Sequence, residues 1–231
     1  ALSAKSKELI CVAIGVAMEA GVLPFGDGQG AIRLVHEVGK GTPMGRILGS
    51  GAAVTAKALG IERAPVVKGQ AMPAYDPRAV KGIGVTYATT PQGADHTAGY
   101  AVTANILKVG GDVDPLKPAG QAQLSRDLQI ATAAVDSTGM CLFIAFAVLD
   151  QPETFQALLD LLNSFYGLTL TGDDVVALGK SVLENERDFN RRAGFTARDD
   201  RLPRYFSREK LPPHDVVFDV PEEELDKVFQ W

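Results

Sequence analysis

The sequence predicts an all-α, multihelical protein built as two packed helical units, and three observations predict it. Apolar residues recur at the three-to-four spacing of an amphipathic helix. Strand-like alternation is nearly absent, and capping side chains, prolines and glycines stand where helices start and stop. A chain of 231 residues, 46% hydrophobic and 22% charged, buries a core without disulfide or metal staples.

In chain order, Leu9, Val12, Ala13, Val16 and Ala17 form one helical face that stops at Gly21. Pro24, Gly26, Gly28 and Gly30 then break the chain, so this glycine-rich stretch is a turn between helices. It follows a helix rather than a strand and has no Gly-Lys-Ser/Thr ending, unlike a phosphate loop. Residues 31–38 form a second helix closed by Gly39. Thr42 and Pro43 pair a side-chain cap with the residue best tolerated at the first helical position, opening a third helix to Leu59 with Gly60 as its stop. Residues 61–74, with Pro65, Gly69 and Pro73, read as an extended linker, which places the unit boundary between 1–66 and 67–231.

Asp76 and Pro77 repeat the cap-then-proline start and open a helix through Tyr87. Gly82 and Gly84 weaken that helix by about 1 kcal/mol each, which suits a place where a backbone or bulky ligand approaches closely. Residues 89–98 are small and polar and form a loop centred on His96. Helix 121–135 ends at Asp136-Ser137-Thr138-Gly139, and the wholly apolar run 140–149 is expected to be buried on every side. Helices 152–166 and 172–193 close at Gly167 and Gly194. A proline-broken tail then carries a last short helix opened at Pro221.

Charge and composition exclude several function classes. The net charge of −5 leaves no basic face for nucleic acid. No apolar run reaches the roughly 18–20 residues of a membrane span, and no secretory leader pattern is present. Two distant cysteines, Cys11 and Cys141, suit a reducing, cytoplasmic setting. Neither has a CxxC partner, no histidine pair has zinc spacing, and no GxSxG elbow occurs.

Two constellations remain. His36 and His214 read as surface residues, whereas His96 sits in a loop beside Asp95, whose carboxylate could fix the imidazole tautomer. His96 is either a proton donor or acceptor for a substrate or a loop histidine that ties down backbone. Asp136-Ser137-Thr138-Gly139-Met140-Cys141 places a carboxylate, a flexible turn and a thiol in succession. Cys141 is either a thiolate ligand or a buried apolar cysteine, and alone it cannot hold an iron–sulfur cluster, which takes about four ligands.

Several motifs together resemble the tungsten-containing aldehyde ferredoxin oxidoreductases. They are Pro73-Ala74-Tyr75-Asp76-Pro77-Arg78, then Lys81-Gly82-x-Gly84-x-x-Tyr87-Ala88-Thr89, Gly93-Ala94-Asp95-His96, and Asp136-x-x-Gly139-Met140-Cys141. The stretch 12–21 and Asp199-Asp200-Arg201-Leu202-Pro203 add to the likeness, which is to the two helical C-terminal domains of that family. The resemblance implies oxidation of an aldehyde to a carboxylic acid at tungsten, or molybdenum, held by two pterin dithiolenes beside a [4Fe–4S] cluster, with ferredoxin as electron acceptor. It further implies that Asp136 hydrogen-bonds a pterin and that backbone around Gly139 and Met140 approaches it. By the same resemblance Cys141 is one cluster ligand and His96 serves the reacting aldehyde.

The departures are equally specific. The family's other pterin-binding Asp would fall near Ser6, and Cys11 stands where glycine is usual. The resemblance places the other three cluster cysteines and the pterin-cradling domain upstream. The expectation is therefore a fragment of a longer polypeptide, a subunit completed by a partner chain, or a cofactor-free helical module that works through protein contacts.

Overall fold

The computed structural model describes residues 4–231, with side chains from Ile10 onward; the side chains of Ser6 and Leu9, which the sequence reading invoked, lie outside the described residues. Helices dominate the chain, which divides into two compact units, Ala1–Met72 and Pro73–Trp231.

The first unit contains α1 (Ala4–Glu19), α2 (Gly28–Lys40), α3 (Pro43–Gly49) and α4 (Ala52–Leu59). Ile10, Ala13, Ile14 and Ala17 of α1 meet Leu23 and Leu48 in one apolar cluster, while Val16 packs with Ala52, Ala56 and Ala71 in another. Asp27 caps α2 by accepting the Gly30 amide at 2.7 Å, and the left-handed cap falls on Gly41 rather than Gly39. The helix expected to run from Pro43 to Leu59 is two helices. Ser50 closes α3, and Gly51, at φ +90°, opens α4 in a conformation that only glycine adopts without strain. The expected linker contains a hairpin, β1 (Val66–Val67) antiparallel to β2 (Gln70–Ala71), with Val66 opposite Ala71. Ala71 packs on α4 residues, so the hairpin belongs to the first unit.

The second unit is built round α5 (Lys81–Thr89), in which every residue is buried. It starts later than the Asp76-Pro77 signal. Asp76 accepts the Arg78 amide at 2.9 Å and clasps its guanidinium, forming a turn that delays the helix to Lys81. The glycines of α5 admit protein side chains. A Cβ on Gly82 would stand 2.6 Å from Asn105 Oδ1, and one on Gly84 would stand 2.4 Å from Phe218. Lys81, 2% exposed, is paired with Asp219.

Around α5 lie α6 (Gln121–Ser137), α7 (Ala145–Asp150), α8 (Pro152–Tyr166) and α9 (Gly172–Arg192), followed by α10 (Tyr205–Arg208) and α11 (Glu222–Asp226). Gly179 of α9 rests against the Ile130 carbonyl of α6, so these helices touch at backbone distance. Pro152 opens α8, and the Thr171–Asp174 capping box opens α9.

The run 140–149 is not buried on every side. It forms a 3-10 turn (Leu142–Ile144) and α7, neither of which buries a residue, and Phe143 is 78% exposed. A short helix offers one stripe to its neighbours, α8 above all, and leaves Ala147 exposed.

Candidate functional site

The His96 loop is locked from both ends. Thr86 Oγ1 of α5 donates to the Gly99 carbonyl at 2.9 Å, and Gly99 lies so close to Gln129 that a Cβ there would stand 2.8 Å from its Cγ. Asp95 accepts the Thr97 amide at 3.0 Å and its hydroxyl at 2.9 Å, an Asx turn that leads into the 3-10 turn Thr97–Gly99. That commitment changes the expected role of Asp95. Its Oδ1 stands 3.8 Å from His96 Nδ1, too far for a hydrogen bond, and Nδ1 is buried without a partner.

Rings, not a carboxylate, hold His96. Its centroid lies 5.5 Å from Tyr75 and 5.8 Å from Tyr100, and the two phenols share a 2.6 Å hydrogen bond. Burial, reinforced by that bond, pushes the Tyr100 phenol up to about 12. Tyr100 also meets Phe146 edge-on at 6.1 Å, and Phe146 stacks on Phe143 at 6.3 Å. An aromatic ladder thus runs from the His96 loop to the segment just beyond Cys141.

The turn after α6 carries the second constellation. Gly139 takes φ +75°, a left-handed step that lets the chain leave the helix, and Thr138 Oγ1 accepts the Met140 amide at 3.3 Å. Met140 is half-buried, while Asp136, Gly139 and Cys141 are exposed. Cys141 is a free, accessible thiol, so the alternative of a buried apolar cysteine does not hold. His36 and His214 are exposed, as surface residues should be.

Asp136 and Asp95 meet across a cleft of about 310 Å³ between α6, α9 and the His96 loop, whose walls also carry Gln129 and Glu186. Partial desolvation in the cleft and then Asp95 push the Asp136 carboxyl above its ordinary range, although the residue as a whole is exposed; partial desolvation and then Asp136 do the same to Glu186. Gln129, 1% exposed, donates to Thr89 and Ser125, while its Oε1 is buried without a partner. The cleft therefore sets three carboxylates among the hydroxyls and amides of Thr132, Ser137 and Gln92, and is richer in acceptors than in cations.

Donor chemistry decides which groups these residues fit. The cleft's carboxylates and orphaned amide oxygen suit a ligand rich in N–H donors, as a pterin ring is. For an iron–sulfur cluster the chain fits one ligand position, since Cys141 is accessible but no three His, Cys, Asp or Glu side chains gather to hold a metal among the described residues. The sequence reading overlooked Tyr100, Gln129 and Glu186 and gave Tyr75 no role. Tyr75 lay inside a quoted motif and Tyr100 follows His96 by one helical turn, but Glu186 arrives from α9 with no local signal.

Comparison with known proteins places this geometry in a family. Among the described residues no helix is long and apolar enough to cross a membrane. A family profile described as aldehyde ferredoxin oxidoreductase, domains 2 and 3, matches residues 11–230. The tungsten-containing aldehyde ferredoxin oxidoreductase of Pyrococcus horikoshii is 31% identical over 191 residues, which is 81% of this chain and 31% of that protein. Its namesake from Pyrococcus furiosus is 33% identical over 181 residues, 77% of this chain and 29% of the relative. That of Thermococcus kodakarensis is 32% identical over 148 residues, 63% and 24% of the two chains. This chain spans about 31% or less of each of these relatives. With a match from residue 11 to residue 230, the chain belongs to the aldehyde ferredoxin oxidoreductase family and corresponds to its domains 2 and 3.

Proposed function

We propose that this chain is the C-terminal part of an enzyme that oxidises aldehydes to carboxylic acids and passes the electrons to ferredoxin. When bound, tungsten or molybdenum on two pterin dithiolenes would supply the two-electron acceptor, and a [4Fe–4S] cluster the way out. In this reading Cys141 contributes one thiolate to the cluster, and the remaining ligands come from residues outside those described. Asp136 accepts N–H donors of a pterin. The bare Gly139 backbone, with Met140 beside it, gives the pterin room to lie against the turn.

His96 is the proton-transfer group. Its Nδ1 is buried with no acceptor in reach, so a proton is cheaper on Nε2, where substrate or water can exchange it. Tyr75 and Tyr100 hold the ring in place and keep water from one side of it. The observation that carries the reading is the free, exposed Cys141 thiol at the end of a turn whose first residue, Asp136, faces the cleft under the His96 loop.

The test uses the complete protein. Cys141→Ser should lower iron content and alter the electron paramagnetic resonance signal of the reduced cluster while circular dichroism stays unchanged. His96→Ala should abolish aldehyde-dependent ferredoxin reduction with metal content retained. Unchanged iron and an unchanged signal in Cys141→Ser refute the ligand role, and unaltered turnover in His96→Ala refutes the proton role. A complete protein free of tungsten, molybdenum and iron refutes the enzyme reading and marks a helical module working through protein contacts.

A further inference from the structure

A second groove, of about 490 Å³, opens between α6, α7, α8, α9 and Trp231, and it shares no lining residue with the carboxylate cleft. Its volume lies in the roughly 300–1,000 Å³ range of small-molecule sites. Its floor is apolar, formed by residues such as Ile130, Leu149, Phe155 and Val176.

The rim is what gives the groove chemical direction. Lys180 Nζ rides 5.6 Å above the Trp231 ring centroid and has no carboxylate within ion-pair distance among the described residues. The other polar groups there are already engaged. Arg126 donates to the Val228 carbonyl at 2.7 Å and to that of Lys227. Asp127 accepts from Gln123 at 2.7 Å, and Glu184 accepts from the Trp231 indole. Lys180 is thus an ammonium at the mouth of an apolar groove, and it forms no ion pair of its own among the described residues, the nearby Asp127 and Glu184 being engaged with Gln123 and Trp231.

We propose that this groove binds an amphipathic carboxylic acid, with its apolar body on the floor and its carboxylate at Lys180 Nζ. A single ammonium with no guanidinium fork free beside it suits one carboxylate; a phosphate would ask for more donors. The inference stands apart from the aldehyde-oxidation reading, because it uses none of the same residues.

Trp231 is the only tryptophan of the chain, so its emission reports occupancy directly. The 231-residue chain is titrated at pH 7 with 4-phenylbutyrate, with 4-phenylbutanol as the neutral match and with 4-phenylbutylamine as the cationic one. The acid should give a saturable shift with about fivefold tighter binding than the alcohol, and the amine should bind weakest. In Lys180→Met, a surface change that leaves the core intact, acid affinity should fall to the alcohol's level while alcohol affinity holds. Equal affinities for acid and alcohol, preference for the amine, undiminished acid binding in Lys180→Met, or no saturable shift at millimolar concentration would each overturn the proposal.

Discussion

Gly179→Ala should destabilise the second unit, although helix propensity alone predicts the reverse. Alanine is favoured over glycine in a helix interior by about 0.8–1.0 kcal/mol. At Gly179, however, an added Cβ would stand 2.1 Å from the Ile130 carbonyl oxygen, whereas ordinary contact begins near 3.4 Å. The obstacle is backbone, so no side chain can rotate away; α6 and α9 must separate by about 1 Å. Overpacking of a fitted interface costs about 1–3 kcal/mol and more where backbone must move. With the propensity gain subtracted, a net loss of about 1–2 kcal/mol is expected, or roughly 2–8 °C in Tm for a chain of this size. Gly15→Ala is the control. A Cβ there meets nothing within 4 Å, so the same substitution in exposed helix should stabilise by up to about 1 kcal/mol. Thermal and urea unfolding followed by circular dichroism compares the two. If Gly179→Ala leaves the midpoint unchanged or raises it, helix contact at Ile130 does not set the spacing of α6 and α9. Because those helices form the walls between Asp136 and Glu186, the same variant should also lower ligand affinity of the cleft.

Two further outcomes follow from the site's electrostatics. With its phenol near 12 in the folded state against an ordinary 10, Tyr100 keeps its proton longer folded than unfolded, so its contribution to stability is complete below about pH 10 and is lost as pH rises from 10 to 12. Ultraviolet titration at 295 nm should show one late phenol that moves down in Tyr75→Phe, because the hydrogen bond goes while the burial remains; an unmoved titration would show that Tyr75 has no hold on Tyr100. In the cleft, Asp136 and Glu186 are both raised in the folded state, so their contribution to stability is present at low pH and is lost as pH rises through the folded values. Asp136→Asn should therefore raise the unfolding midpoint at pH 7 but not at pH 3, and should return Glu186 toward its ordinary range in an NMR titration; a stabilisation equal at both pH values contradicts the like-charge argument.

Most helices, the start at Thr42-Pro43, the stop at Gly60 and the turn from Asp136 to Cys141 were legible because each rests on local chemistry, whereas the break at Ser50-Gly51 and the late start of α5 were not. What failed was inference from hydrophobicity to burial. The most apolar run, 140–149, lies half in the open, whereas the fully buried helix is α5, which has a lysine, two glycines and two threonines in nine residues. The difference is packing distance. Gly82 and Gly84 let neighbouring elements come within reach of α5's backbone, its Thr86 and Thr89 hydroxyls are bonded to Ser125 and Gln129, and Lys81 finds Asp219. Each partner is distant in sequence, so nothing local announces the burial. The same holds for the cleft: Asp95 and Asp136 were visible singly, but that they face one another with Glu186 from α9 is a property of the α6–α9 contact at Gly179. A small residue at a helix crossing thus carries more of this site's architecture than any hydrophobic residue in it.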